Sequence, residues 1–333
     1  MCGIIGVSGV PDAARVAYLG LYALQHRGQE SAGIVAVTPD GESRIRVGMG
    51  LVSETFDDAE LEKLPGDVAV GHTRYSTTGS TVLANAQPCL VNYRAGSLSV
   101  AHNGNLTNAA EIKQALVERG SIFASSSDTE VLVHLIARSE APDAEMQIRS
   151  ALERVEGAYS LVIGVGRTLY AVVDPRGFRP LVLGRIGKGV VAASETCALD
   201  LVGATFVREL QPGEFVRITD GVVEDLQPLR ARPVSRCVFE LIYFARPDST
   251  IFGQSVDRVR REAGRSTDFV FLSVSDGLGV GLVVNGEVLR GRHNVAGEFG
   301  HVPLAGEGPT CACGATGCWE AYVSNLATLS RYF

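Results

Sequence analysis

Met1-Cys2-Gly3-Ile4-Ile5-Gly6-Val7 opens the chain with a cysteine that becomes the terminal residue once the initiator methionine is removed, directly ahead of an apolar strand-like run. A terminal cysteine carries a nucleophile and a base on one residue. The reference α-amine titrates at about 7.7–8.0 and the thiol at about 8.5, so the amine can relay the thiol's proton. Alone the feature is weak, because any small second residue permits methionine removal. Its weight comes from four segments downstream: Leu24-Gln25-His26-Arg27-Gly28-Gln29-Glu30-Ser31-Ala32-Gly33-Ile34, Gly71-His72-Thr73-Arg74-Tyr75-Ser76-Thr77, Ala101-His102-Asn103-Gly104-Asn105-Leu106-Thr107-Asn108 and Ser127-Asp128-Thr129-Glu130.

With Cys2, these segments resemble the class II glutamine amidotransferases, whose glutaminase domain is an N-terminal-nucleophile hydrolase. Asp174-Pro175-Arg176-Gly177-Phe178-Arg179-Pro180-Leu181 and Phe239-Glu240-Leu241-Ile242-Tyr243-Phe244-Ala245-Arg246-Pro247-Asp248-Ser249 narrow the resemblance to the amidophosphoribosyltransferase family, which opens purine synthesis. The resemblance implies that Cys2 attacks the carboxamide of L-glutamine, giving a thioester and ammonia, with its own α-amine as base. It implies an oxyanion hole from Asn103 and the backbone N–H of Gly104, and such donors are worth about 10²–10³ in rate apiece. It places Arg74 on the substrate α-carboxylate, where a planar guanidinium can bind bidentately, and Asp128 on the α-ammonium, with Thr77 and Arg27 nearby. Bland alternatives stay open: Arg74 and Asp128 could form a surface ion pair or a helix cap. Ser127 and Glu130 have the spacing of a capping box ahead of Val131, Leu132, Leu135 and Ile136. His72 and His102 invite a Cys–His reading, but the resemblance assigns the base to the amine and leaves both histidines structural.

The patterning predicts strands at Gly3–Val7, Ile34–Val37, Val68–Gly71, Leu98–Ala101, Tyr159–Val165, Leu169–Val173, Leu181–Leu183 and Val190–Ala193. A helix is expected over Asn108–Arg119, with Asn108 and Glu111 as a capping box and Gly120 as the stop. Strands and helices do not alternate as a parallel sheet requires. The α+β class is expected, with the four-layer α-β-β-α architecture of the resembled hydrolases over residues 2–257.

After Ser249 the family's continuation, a phosphoribosyltransferase half with a phosphate-cradling loop, is not found, so phosphoribosyl pyrophosphate is not expected to bind. Arg258–Arg265 is the linker candidate. Phe269–Gly286 reads as two strands around a glycine-rich turn. With Ala296-Gly297-Glu298-Phe299-Gly300-His301 and Cys311-Ala312-Cys313-Gly314-Ala315-Thr316-Gly317-Cys318-Trp319-Glu320 it resembles the ROK family (repressors, open reading frames and sugar kinases). Residues 266–333 are therefore expected to form an incomplete actin-like α/β fragment with a zinc loop. His301, Cys311, Cys313 and Cys318 supply a Cys₃His set suited to a structural zinc ion. Free thiols or a disulfide are the alternatives, the latter disfavoured in a chain without a signal peptide. The resemblance also puts Glu298, His301 and Glu320 against sugar hydroxyls, and the Gly277–Gly281 loop near nucleotide phosphates. The family's Asp-x-Gly lobe and its Asn-Asp base pair are missing, which argues against sugar kinase activity.

A 333-residue chain with 46% hydrophobic residues can bury two cores. A net charge of −7 argues against nucleic-acid partners. No membrane partner is expected, because no apolar run reaches 18 residues and no leader is recognised; a cytoplasmic protein is the expectation, with homo-oligomerisation left open. Cys237 matches the region of an iron–sulfur ligand in some relatives, but no cluster is expected. Besides a glutaminase, two further readings stand: a zinc-containing sugar-binding or regulatory module, and a non-functional fusion whose strands Phe269–Val274 and Leu282–Val284 are incompletely covered.

Overall fold

Apolar side chains alternate along Gly3–Ser8, and the strand they form, β1, sorts them into two cores. Ile5 and Val7 pack on helices, whereas Ile4 joins a separate cluster between two sheets. The computed structural model describes residues 1–75, 81–264, 269–274, 278–284, 287–288, 299–311, 313–324 and 327. It divides into two compact units, Met1–Val259 and Arg260–Phe333.

In the first unit, β1 lies at the middle of a seven-stranded sheet. The sheet also contains β2 (Ser31–Val37), β3 (Ser43–Met49), β4 (Val68–Arg74), β9 (Val182–Ile186), β10 (Gly189–Ala193) and β11 (Thr205–Glu209). Its order is β11-β9-β10-β1-β4-β2-β3, antiparallel throughout. The second sheet has six strands in the order β13-β12-β8-β7-β6-β5, also antiparallel. These are β5 (Cys89–Tyr93), β6 (Gly96–Leu106), β7 (Gly157–Val165), β8 (Thr168–Val173), β12 (Phe215–Thr219) and β13 (Val222–Asp225).

Three apolar clusters define the layers. Ile4, Val35 and Val70 of the first sheet meet Ala101, Val162 and Val216 of the second. The outer face of the first sheet is covered by α1 (Ala13–Ala23), by the short α2 (Val52–Thr55) and α3 (Asp58–Glu62), and by α7 (Thr196–Leu201). The outer face of the second is covered by α4 (Ala109–Glu118), α5 (Thr129–Arg138) and α6 (Ala144–Leu152). The result is the expected four-layer α-β-β-α arrangement.

Local details differ from expectation. β6 runs past Ala101 to Leu106, because its polar end stays paired with β7. β3 and β5 were not anticipated; both lie at sheet edges and carry charged or half-exposed residues that blur alternation. Neither capping box forms. Asn108 turns away from α4, accepting from Glu156 N (2.9 Å) and donating to Arg154 O (3.0 Å). Glu130 accepts from the backbone N–H groups of Ala124 and Ser125 (2.8 Å each), bracing the loop before α5 rather than its cap. Gly120, at φ +84°, ends α4 as expected.

The hairpin β14 (Thr250–Ile251) and β15 (Gln254–Ser255) leads into α8 (Val256–Gly264), over the stretch read as a linker. In the second unit, β16 (Phe269–Val274) pairs antiparallel with β17 (Leu278–Val284), which also pairs with β18 (Glu287–Val288). Of the Gly277–Gly281 loop, Leu278–Gly281 is strand and Gly277 lies outside the described residues. A single helical turn, α9 (Glu320–Val323), follows the cysteine motif. Val270 is exposed.

Two consequences of the first unit are measurable. A Cβ on Gly6 would lie 2.7 Å from Val162 Cγ1 of the facing sheet. Gly6→Val is therefore expected to destabilise the unit by about 1–3 kcal/mol through overpacking, read as a lower urea midpoint at unchanged m-value. His72 is buried, and burial lowers its pKa to about 3 while Nε2 lies 3.1 Å from His102 O. Below the ordinary imidazole pKa the unfolded chain binds a proton that the folded chain refuses. Stability should thus fall as pH drops from about 6.5 toward 3, by up to about 1.4 kcal/mol per pH unit from this residue. Urea unfolding between pH 7 and 4.5 should show this slope, and His72→Gln should flatten it.

Candidate active site

Cys2 stands immediately before β1, whose Gly3 pairs with Thr73 and whose other edge pairs with β10. Its position is thereby set by two neighbouring strands. The thiol donates to Tyr75 O at 3.6 Å. Burial raises its pKa above the ordinary thiol value, with Asp128 adding to the rise, while the terminal amine, Tyr75 and Arg74 oppose it. The terminal amine, here on Met1, is itself brought down to about 6, chiefly by burial.

Arg27 reaches the Cys2 backbone. Its side chain is fully buried, and its nitrogens donate to Cys2 O (3.0 Å), Glu195 and Glu240. Two buried carboxylates thus belong to the site that the sequence reading had not singled out. Glu240 sits in the quoted Phe239–Ser249 segment, but Glu195 follows β10 with no local signal to mark it.

The strand end Ala101–Leu106 carries the remaining pieces. The Asn103 side chain is wholly buried, and among the described residues neither its carbonyl nor its amide nitrogen has a hydrogen-bond partner. A Cβ on Gly104 would fall 2.0 Å from Ala158 O and 2.7 Å from His102 Nε2, so only glycine fits there. Asp128, just ahead of α5, accepts from Leu106 N at 2.9 Å and fixes the end of β6. Arg74 closes β4, nearly buried, with Nε 3.8 Å from Glu30 Oε2. Both Arg74 and Asp128 act electrostatically on the Cys2 thiol, so the fold gathers them around it. Thr77 lies outside the described residues. His72 Nε2 lies 3.1 Å from the backbone carbonyl of His102, whose Nδ1 is 3.1 Å from Thr129 Oγ1. Both are buried, and His72 Nδ1 and His102 Nε2 have no hydrogen-bond partner among the described residues.

In the second unit, one ligand atom each from His301, Cys311, Cys313 and Cys318 lies within 4.8 Å of the others. Cys313 and Cys318 sulfurs are 3.7 Å apart, and His301 Nδ1 is 3.5 Å from Cys311 Sγ. Tetrahedral Zn–S bonds of about 2.3 Å imply sulfur separations of about 3.8 Å, so the set fits zinc. Gly314 and Gly317 take φ +90° and +73°, the left-handed turns that bring the cysteines round. Glu320 begins α9, and Glu298 lies outside the described residues. Among the described residues no helix is long and apolar enough to cross a membrane.

Comparison with known proteins agrees with this anatomy. A family profile described as a glutamine amidotransferase domain matches residues 72–201, and the ROK family profile matches residues 248–332. Amidophosphoribosyltransferase 1, chloroplastic, of Arabidopsis thaliana is 51% identical over 265 residues, covering 79% of this chain and 47% of the relative. The amidophosphoribosyltransferase of Bacillus subtilis is 46% identical over 266 residues, covering 79% of this chain and 56% of its own length. The chain thus spans about half the length of the curated relatives it matches. Among solved structures, the allosteric regulatory enzyme of purine biosynthesis superposes with a TM-score of 0.77 at 44% identity, covering 82% of this chain and 60% of that one. The glutamine phosphoribosylpyrophosphate amidotransferase of B. subtilis, complexed with ADP and GMP, gives 0.75 at the same identity and coverage. The N-terminal unit is accordingly similar to the glutamine amidotransferase part of the amidophosphoribosyltransferases, and residues 248–332 are similar to the ROK family.

Proposed function

We propose that the first unit hydrolyses L-glutamine to glutamate and ammonia through Cys2. The observation that carries this reading is the Asn103 amide, wholly buried with both polar atoms lacking a hydrogen-bond partner among the described residues. Leaving such a group unsatisfied costs about 1–3 kcal/mol, and an oxyanion formed beside it would recover that cost in the transition state. In the proposed reaction the Cys2 α-amine takes the thiol proton and sulfur bonds to the side-chain carbonyl carbon. The tetrahedral oxyanion is held by Asn103 Nδ2 and Gly104 N–H. The amine then protonates the departing nitrogen, the C–N bond breaks, and ammonia leaves a thioester. Water, deprotonated by the same amine, releases glutamate and restores the thiol. Arg74 is assigned to the substrate carboxylate and Asp128 to its ammonium. A contribution from Thr77 belongs to the same reading.

Ammonia release from glutamine tests it. Activity is expected in the purified chain, absent in Cys2→Ser, and indifferent to added phosphoribosyl pyrophosphate. Asn103→Ala should lower kcat by about 10²–10³ with KM little changed, as removal of an oxyanion donor does. No activity from a chain shown to start at Cys2 would refute the reading.

The second unit is proposed to hold one structural zinc ion through His301, Cys311, Cys313 and Cys318. When bound, zinc would cross-link the turns around the motif and supply folding energy rather than chemistry. The purified chain should carry about one zinc per molecule. Cys313→Ser should lose it, with metal content read by elemental analysis. A sugar-contacting role for Glu298, His301 and Glu320 would further require saturable sugar binding that Glu320→Ala abolishes.

A further inference from the structure

Behind Cys2 lies a set of buried charges that the proposed chemistry does not use. The Arg27, Glu195 and Glu240 side chains are fully buried, and the Arg179 side chain is 15% exposed. Glu240 divides its two oxygens between two cations, accepting from Arg27 at 2.7 Å and from Arg179 at 3.0 Å. Glu195 accepts from Arg27, from His26 Nε2 (2.8 Å), from Arg246 N (3.0 Å) and from Ser249 Oγ (2.7 Å). Burial works against the charge on Glu195, yet Arg27, His26 and Ser249 outweigh it and hold the carboxyl below the usual carboxylate range. Each nitrogen of the Arg27 guanidinium therefore has a fixed acceptor, and one of those acceptors is the Cys2 carbonyl.

Buried ion pairs are a poor way to gain stability, because desolvation consumes most of the Coulombic gain. Their use is orientation: a planar guanidinium held at two corners presents its third nitrogen in one direction. A residue that acts from the chain terminus has no preceding residue to hold it, so its carbonyl is a natural point of anchorage.

We infer that Glu240 is a positioning residue for Cys2: it locks Arg27, which in turn fixes the backbone of the nucleophile from behind. This inference rests on the proposed glutaminase reading, and it makes the Phe239–Ser249 segment part of the active-site scaffold.

The test compares Glu240→Gln and Arg179→Gln with the unaltered chain, in glutamine turnover and in alkylation of Cys2 by iodoacetamide without glutamine. Glu240→Gln should lower kcat by about tenfold or more, since small misplacements of a reacting group are costly, while KM for glutamine stays within about twofold. Its Cys2 alkylation rate should change by about threefold or more at fixed pH. Arg179→Gln removes only the outer arm and should give a smaller loss with the same kcat–KM pattern, which keeps the test open if Glu240→Gln does not fold. Unaltered kcat and alkylation in a folded variant, or a raised KM at constant kcat, would overturn the inference. An unaltered chain without glutaminase activity would instead remove the functional reading, and the alkylation rates would still decide whether Glu240 positions Cys2.

Discussion

Under the proposed reading Cys2 is a nucleophile at the end of the chain, which can be held only from one side along the backbone, and the first unit meets that constraint. β1 supplies the missing rigidity by lying at the middle of its sheet, hydrogen-bonded to β4 on one edge and β10 on the other. The same strand is buried on both faces, against helices through Ile5 and Val7 and against the second sheet through Ile4. Residues flanking it in space then become the site. The end of β4 brings Arg74, and the end of β6, in the opposing sheet, brings Asn103 and Gly104. Arg27 fixes the carbonyl that the ladder does not reach.

The polar end of β6 shows how the sandwich tolerates a reactive centre. Apolar residues fill the inter-sheet layer as far as Ala101, and the strand then continues through His102, Asn103 and Gly104 while its pairing with β7 persists. The strand's backbone stays in the ladder, while His102 Nε2 and both polar atoms of the Asn103 amide are left without a hydrogen-bond partner among the described residues. Gly104 keeps the strand close to Ala158 O, where any side chain would force the sheet apart. Strand pairing on both edges of β6 helps keep such a centre in register, so that little reorganises when charge develops.

Much of this was legible in the sequence, for identifiable reasons. Gly3–Val7, Tyr159–Val165 and Val190–Ala193 are strands buried on both faces, so their apolar runs announce themselves. The edge strands β3 and β5 are half-exposed and mixed in character, and local pattern does not distinguish them from loops. Caps were misread for a related reason. Asn108 and Glu130 had the right spacing, but each found a better partner in a loop brought close by tertiary packing. Glu195 was invisible because a buried carboxylate is defined by its cations, and Arg27 lies 168 positions away. In the second unit the cysteine spacing sufficed to gather His301 with the three thiols, because short turns leave the chain little alternative.

The convergence of donors on Glu195 also says where the domain stops. By Asp225 both sheets are complete, and hydrophobic layering alone would permit the chain to end there. Yet Glu240, Arg246 N and Ser249 Oγ all return to the buried charges behind Cys2. A chain cut at Asp225 would retain every strand of the sandwich while leaving Arg27 and Glu195 buried and half-partnered. The functional boundary is thus drawn by charge neutralisation, some two dozen residues beyond the boundary drawn by the sheets.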